Sequence, residues 1–318
     1  MKILANDGIS ESGINAMEAA GHEVMMVHVA QEQLQNFINE HEIDVLLVRS
    51  ATQVRKNIID NCPSLKIIGR GGVGMDNIDV EYAKENDIQV INTPAASSAS
   101  VAELVFAHLF GGVRYLHDSN RNMPLEGDSH FKDLKKNYSA GSELRGKTIG
   151  IIGFGKIGQE VAKLALGCGM KVLVNSRRTI NNQITLTFFN GHSISLPIES
   201  VSMDQLLEES DFISLHVSAS AGRLIGKNEI AKMKKGVGII NTSRGGVVNE
   251  DALLDGLEDG KISFAALDVY EGEPKPSLRI LMNHRISLSP HIGAATLEAQ
   301  DRIGTELAAQ IIDIAKEI

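Results

Sequence analysis

The chain has 318 residues, a formal net charge of −9 and an apolar share of 43 %. That length exceeds one ordinary domain and suits two, and the apolar share is that of a globular protein. The negative balance argues against a nucleic-acid partner, which requires a basic face, and two distant cysteines, Cys62 and Cys168, outline no disulfide framework or zinc site.

The chain opens with MKILANDG, a short strand with no charged leader or long apolar run, so a cytoplasmic protein without a secretory signal is expected. No apolar stretch approaches the roughly 20 residues of a bilayer span, so no membrane partner is expected. The strands KILAND, EVMMVH, VLLVRS, LKIIGRG and IQVINTP alternate with helical stretches such as ESGINAMEAAG, QEQLQNFINEH and DVEYAKEN. This rhythm predicts a parallel sheet covered on both faces. The stretch 97–113, SSASVAELVFAHLFGGV, reads as one helix near the join of two domains. Ser100 and Glu103 have capping-box spacing, with a start two residues earlier equally open.

A second series follows: TIGIIG, KVLVNS, DFISLHV, GVGIINTS, ISFAALDV and RISLSP, most of them separated by helices. It fits a doubly wound nucleotide-binding sheet. One segment breaks the rhythm. ITLTFFNGHSISL, 184–196, alternates in period two about Asn190-Gly191, a hairpin pattern read as an elaborated surface loop. The stretch 294–318 is helical and would close one of the two domains.

Gly153-Phe154-Gly155-Lys156-Ile157-Gly158 follows a strand and opens a helix, the setting in which G-x-G-x-x-G binds a dinucleotide. The first glycine permits the tight turn, the second lets backbone approach a pyrophosphate, and the third lets the helix pack on the strand. About 20 residues after such glycines an acidic residue usually holds the ribose hydroxyls of NAD. Here Asn175 and Ser176 are followed by Arg177 and Arg178. A second loop, Gly69-Arg70-Gly71-Gly72-Val73-Gly74, reads equally as an anion cradle or a plain turn.

Ligands of open parallel sheets bind beyond the carboxyl ends of the strands. Arg49, Ser50, Thr52, Arg70 and Asn92 collect there in the first series. His216, Thr242, Ser243, Arg244, Asp268, Ser289 and His291 do so in the second. The arginines beside a glycine loop suit a small anion. Among ten histidines, His291 is the strongest acid–base candidate, followed by the glycine turn Ile292-Gly293. His216 ends a central strand and is a candidate cofactor contact. The others, His108 included, read as surface or satisfied core histidines. Glu273, in EGEP, is the carboxylate to pair with His291, where it would favour the imidazolium and fix the tautomer.

These residues carry a family signature. Through VRSAT, IGRGGVGMDNID, GKTIGIIGFGKIG, MKKGVGIINTSRGGVVNEDAL, LDVYEGEP and SPHIGAAT, the chain resembles the D-isomer-specific 2-hydroxyacid dehydrogenases over nearly its whole length. Within the family it looks most like the D-3-phosphoglycerate dehydrogenases, through VRSAT and GRGGVGMDNID. The resemblance implies an α/β fold of two doubly wound parallel-sheet domains. Residues 1–98 with 294–318 would form a flavodoxin-like substrate domain, and 99–293 a Rossmann NAD(P)-binding domain. Arg244 would bind the substrate carboxylate, His291 would be the general acid–base and Glu273 its partner. Val73 and Gly74 would offer backbone N–H groups to substrate, with Arg49, Ser50 and Arg70 nearby. Gly155, Lys156, Ile157, His216, Thr242 and Asp268 would contact cofactor, together with Gly153, Gly158 and Gly293. The resemblance also implies a homodimer built mainly through the nucleotide-binding domain, a small anionic 2-hydroxy or 2-oxo acid as substrate, and no metal.

The chain departs from the family pattern in places. TPAASS puts Ala96 and Ser97 where phosphoglycerate dehydrogenases often carry Gly-Asn. No C-terminal regulatory domain is expected, hence no serine feedback through one. Where NAD-using members carry Asp, Ser176 with Arg177 matches the pattern of NADPH-using hydroxypyruvate and glyoxylate reductases, so the expected cofactor is NAD or NADP with a lean to NADP. Three readings follow: a 3-phosphoglycerate dehydrogenase of serine biosynthesis, an NADPH-dependent hydroxypyruvate or glyoxylate reductase, and a nicotinamide-sensing corepressor-like binding protein.

Overall fold

In the computed structural model, which describes residues 1 to 317, hydrogen bonding joins β1 (Lys2–Ala5), β2 (Glu23–Met25), β3 (Val45–Val48), β4 (Ile67–Arg70) and β5 (Gln89–Asn92) into one sheet. All neighbours are parallel, in the order β2-β1-β3-β4-β5. That order is the flavodoxin-like winding. Because successive strand side chains point to opposite faces, Leu4, Leu46 and Ile68 join one apolar cluster while Ile3, Val45 and Ile67 join another. The second cluster is completed by Met17 of the helix Glu11–Ala19 and by Ile303, Leu307 and Ile311 of the helix Leu297–Ile314. The final helix therefore belongs with this first sheet. The chain divides into two compact units, Met1–Ser100 with Ala294–Ile318, and Val101–Gly293.

The second unit holds β6 (Thr148–Ile152), β7 (Lys171–Asn175), β8 (Asn181–Thr187), β9 (Ser193–Glu199), β10 (Phe212–Leu215), β11 (Val237–Asn241), β12 (Ile262–Leu267) and β13 (Ile286–Leu288). Its parallel sheet runs β13-β12-β11-β10-β6-β7, with the winding direction reversing between β6 and β10. A crevice at such a reversal is the usual nucleotide site of a doubly wound sheet.

Local readings need adjustment in three places. The helix Ser98–Val113 begins at Ser98, so the earlier start is the one adopted and Ser100 and Glu103 lie inside the helix rather than at its cap. The hairpin β8–β9 pairs Ile184 with Leu196, the ends of the alternating segment, but continues three residues further to Asn181 and Glu199. The hairpin lies on the surface, with Phe188 and Phe189 near its tip exposed, but its base is anchored by Ile184 and Ile198, which are buried in the core of the second unit. Residues 116–137 form two helices, Leu116–Glu126 and Phe131–Asn137, that the sequence pattern did not reveal.

The helices Glu11–Ala19 and Leu297–Ile314 meet at Gly13 and Gly304, where a Cβ on Gly13 would sit 2.8 Å from the Gly304 carbonyl group. Gly13→Ala should therefore overpack this contact and destabilise the protein by about 1–3 kcal/mol. Gly167→Ala is the matched control, since a Cβ there meets nothing within 4 Å. Urea unfolding of the two variants should move in different directions, with Gly167→Ala neutral or stabilising by up to about 1 kcal/mol.

Candidate active site

Three loops at the carboxyl ends of β11, β12 and β13 carry the polar residues of the second unit. After β11, the buried Asn241 side chain folds the turn onto itself. Its Oδ1 accepts from the Ser243 N–H at 3.0 Å and the Ser243 hydroxyl at 2.7 Å, and its Nδ2 donates to the Arg244 carbonyl at 2.9 Å. Arg244 donates from Nη1 to the Ser243 carbonyl at 2.7 Å. Any side chain at Gly245 would collide with the Tyr270 carbonyl, so the Arg244 loop lies directly against the loop after β12.

That second loop presents Glu273, whose peptide bond to Pro274 is cis. One carboxylate oxygen accepts the Tyr270 N–H at 2.8 Å, and the other lies 3.0 Å from His291 Nδ1. A carboxylate accepts only, so Nδ1 carries the proton of the neutral ring and Nε2 is left as the nitrogen that exchanges protons. Burial pushes the Glu273 carboxyl up, but the His291 and Tyr270 hydrogen bonds and the charges of His291 and Arg244 outweigh it and hold the carboxyl below its ordinary range. His291 is 45 % exposed and has φ of +56°, a left-handed conformation uncommon for a non-glycine residue.

The turn that follows His291 is held by Asp268. This carboxylate is only 1 % exposed. Its oxygens accept from the Ser289 hydroxyl at 2.6 Å, the Ile292 N–H at 2.8 Å and the Gly293 N–H at 2.9 Å. Tyr270 donates its hydroxyl to the carbonyls of Leu267 and Ser289, tying the ends of the same two strands.

The winding reversal beside these loops has the features of a dinucleotide cradle. Gly153 has φ of +94°, and any side chain there would strike the His216 carbonyl. Gly158 would likewise strike the Gly153 carbonyl, whereas a Cβ on Gly155 meets nothing within 4 Å. Gly155 also caps the helix Lys156–Gly167 without a side-chain hydrogen bond. The first turn of that helix thus offers N–H groups to an anion. Thr242 Oγ1 and His216 Nδ1 are buried with no hydrogen-bond partner among the described residues. Buried polar atoms are rarely left so, and a nicotinamide cofactor with its polar edges fits them. His216 accepts or donates at Nε2 with Ser214, and burial pushes its pKa down to about 3, so the ring is neutral. At the end of β7, Ser176 is half-buried, and Arg177 and Arg178 are exposed without an ion-pair partner among the described residues.

The description "D-isomer specific 2-hydroxyacid dehydrogenase, NAD binding domain" matches residues 106–293. A hydroxypyruvate reductase of Thermotoga maritima is 44 % identical over 294 residues, covering 91 % of this chain and 90 % of that one. The chain belongs to the D-isomer specific 2-hydroxyacid dehydrogenase family. Its members are nicotinamide-dependent oxidoreductases that act on a CH–OH group. A D-3-phosphoglycerate dehydrogenase of Methanocaldococcus jannaschii is 39 % identical over 314 residues, and this chain spans 98 % of itself but only 57 % of that protein. The crystal structure of a glyoxylate reductase from Paecilomyes thermophila matches with a TM-score of 0.81 at 28 % identity, over 98 % of this chain and 93 % of that one.

In the first unit of this dehydrogenase, the loop with Arg49 and Ser50 is anchored by residues absent from the sequence-based candidates. Asp7 accepts from the backbone N–H of Arg49 at 2.7 Å and from the N–H and hydroxyl of Thr52. Asn77 donates to the carbonyls of Arg49 and Thr52. Exposed Ser50 and part-buried Arg49 line a cavity of about 500 Å³ with Asp7 and His28. The second glycine loop is a tight turn shaped around Arg70. Gly72 has φ of +147°, and a side chain there would strike the Arg70 guanidinium. Asn92 donates to the Val73 carbonyl at 2.9 Å and steadies the turn that carries Val73 and Gly74.

No helix among the described residues is long and apolar enough to cross a membrane. No group of three or more metal-ligating side chains lies together among the described residues.

Because His291 supplies both a hydrogen bond and charge to Glu273, removing it reverses a defined electrostatic effect. In His291→Ala the Glu273 carboxyl should titrate at higher pH than in the parent, as followed by carboxyl carbon NMR. The sign for stability follows from linkage. A carboxyl with a depressed folded pKa stabilises above its unfolded pKa, and that contribution disappears as pH falls through the folded pKa. The variant should therefore lose part of this acid-side dependence in unfolding curves.

Proposed function

We propose that the protein moves a hydride between NAD(P) and a D-2-hydroxy acid or its 2-oxo counterpart, with His291 as general acid–base. The observation that carries this reading is the 3.0 Å contact of His291 Nδ1 with Glu273, beside the loop of Arg244. When bound, the nicotinamide supplies the hydride chemistry. In oxidation, neutral His291 takes the hydroxyl proton at Nε2. In reduction, the imidazolium returns it to the carbonyl oxygen. Glu273 orients the ring and fixes its tautomer. Arg244 holds the substrate carboxylate through a planar fork and stabilises charge developing on the neighbouring oxygen. Gly153, Gly155, Lys156, Ile157 and Gly158 receive the pyrophosphate. His216, Thr242, Asp268 and Gly293 border the nicotinamide end.

The substrate we assign is 3-phosphoglycerate, or 3-phosphohydroxypyruvate in the reducing direction, as in serine biosynthesis. Arg49, Ser50 and Arg70, with the backbone of Val73 and Gly74, are its proposed anion contacts. The name of the M. jannaschii relative supports this reading. Residues 1–98 with 294–318 are assigned to substrate and 99–293 to cofactor, in a cytoplasmic homodimer. A second reading, an NADPH-dependent hydroxypyruvate or glyoxylate reductase, is favoured by Ser176 with the exposed Arg177 and Arg178. The names of the T. maritima and P. thermophila proteins support it as well.

Initial rates with 3-phosphohydroxypyruvate, hydroxypyruvate and glyoxylate, each with NADH and NADPH, test both. A kcat/KM at least about tenfold higher for the phosphorylated acid is the expected result. A preference for the unphosphorylated acids establishes the second reading. His291→Ala should lower kcat by about 10²–10⁴-fold, the usual weight of an acid–base group, while fluorescence titration shows cofactor binding retained. Unchanged turnover removes His291 from the chemistry. Ser176→Asp should weaken NADPH relative to NADH by about 10- to 100-fold, because it replaces a neutral neighbour of the 2′-phosphate by a like charge. An unaltered NADPH/NADH ratio means that Ser176 does not face the ribose.

A further inference from the structure

His108 sits in the middle of the helix Ser98–Val113 with only 7 % of its surface exposed. Its two ring nitrogens face two serines of one strand end, with Nδ1 2.8 Å from Ser287 Oγ and Nε2 2.9 Å from Ser289 Oγ. Ser289 has one hydroxyl proton, and Asp268 accepts it at 2.6 Å. Ser289 Oγ must then accept from His108, which places the proton of the neutral ring on Nε2. Nδ1 is left as an acceptor for the Ser287 hydroxyl. All four groups are satisfied in one direction only: Ser287 to His108, His108 to Ser289, Ser289 to Asp268. Burial lowers the His108 pKa against the opposing charge of Asp268, in keeping with a neutral ring.

The chain ends on the carboxylate that grips the Ile292 and Gly293 N–H groups. Those two residues follow His291, whose left-handed backbone conformation needs its surroundings to hold it. Glu273 orients the His291 ring from one side. Nothing in that contact fixes the height of the His291 backbone above the sheet. The Asp268 grip does so, and His108 sets the rotamer of the Ser289 hydroxyl that completes it.

We infer that His108 is a positioning residue for His291, acting through Ser289 and Asp268 from a helix with no other part in the chemistry. The inference rests on the assignment of His291 as acid–base. A purely packing role for His108 would be met by any apolar side chain of similar size. A positioning role requires a neutral group that accepts at one end and donates at the other.

The test compares full-length His108→Leu, His108→Gln, Ser289→Ala and His291→Ala by kcat, KM and melting temperature, using the best substrate of the rate panel. His108→Leu and Ser289→Ala should each lower kcat about tenfold, as expected for a slightly misplaced reacting group, with cofactor KM changed less than about twofold. The double variant should be no slower than the slower single, because both cut the same chain. His108→Gln, which can accept and donate, should recover most of the loss. The imidazole NMR signals of His291 should broaden or split in His108→Leu and sharpen again in His108→Gln. Parental kcat in both His108→Leu and Ser289→Ala overturns the inference, as does a fall in kcat that His108→Gln fails to recover. If His108→Leu does not fold, Ser289→Ala decides alone. Parental kcat in His291→Ala overturns the site assignment and the inference with it, and this outcome is told apart because the failure is read at His291 itself.

Discussion

A carboxylate withdrawn from water costs several kcal/mol unless its oxygens are satisfied. Asp268 meets that condition with three donors from beyond the next strand: a serine hydroxyl and two consecutive backbone N–H groups. The requirement works in both directions. The carboxylate can stay buried only if the turn after β13 closes over it, and the turn can keep its shape only while the carboxylate is there. Tyr270 adds a second tie between the same strand ends through the carbonyls of Leu267 and Ser289. Glu273 and His291 then meet because the loops that carry them leave strands already locked in register, Ala265 to Ile286 and Leu267 to Leu288.

Parallel winding explains why the residues proposed for the chemistry come from distant parts of the sequence. Each strand delivers its loop to the same edge of the sheet, so Arg244, Glu273 and His291, spread over 48 positions, become neighbours without any local motif joining them. The glycines at 153 and 245 serve the same end. At each, the absent side chain lets one loop touch the backbone of the next, His216 in one case and Tyr270 in the other. These glycines mark close approach of neighbouring strand ends, which is what makes a continuous rim from separate loops.

The alternation of strands and amphipathic helices is legible because the inner strands of these parallel sheets are apolar on both faces. β3, VLLV, and β11, VGIIN, are buried along their whole length and stand out in the sequence. The helix Leu116–Glu126 did not stand out because none of its residues is buried and Pro124 lies within it. Periodicity reports burial, and this helix has none to report. Arg244, Glu273 and His291, the residues proposed for the chemistry, are legible as polar residues that follow strands. Their supports are not. Asp7 and Asn77 act by hydrogen-bonding backbone groups of another loop, and such partners leave no spacing pattern along the chain. Asn241 folds only its own turn, through Ser243 and Arg244. In sequence His108 reads, with six other histidines, as a surface or satisfied core residue, and a satisfied core histidine and a member of a directed hydrogen-bond chain look alike there. Only the two serine contacts and the single proton of Ser289 distinguish them.

Cofactor choice follows a different logic from the acid–base site, since it depends on a difference between two affinities. A carboxylate at the end of β7 favours NAD twice over, by accepting from the ribose hydroxyls and by repelling a phosphate. Ser176 gives up both effects at once, even before any arginine contributes. On the NADPH reading, the exposed Arg177 and Arg178 next to it supply the counter-charge for a 2′-phosphate, on a chain whose formal net charge is −9. In so acidic a protein, a pair of adjacent arginines at that strand end does local electrostatic work that the molecule as a whole opposes. Exposed arginines keep most of their hydration, so their attraction for a phosphate is modest and screened by salt. On the proposed NADPH reading, the loss of the repelling carboxylate therefore carries the larger share, which makes Ser176 more than either arginine the position expected to decide between the cofactors.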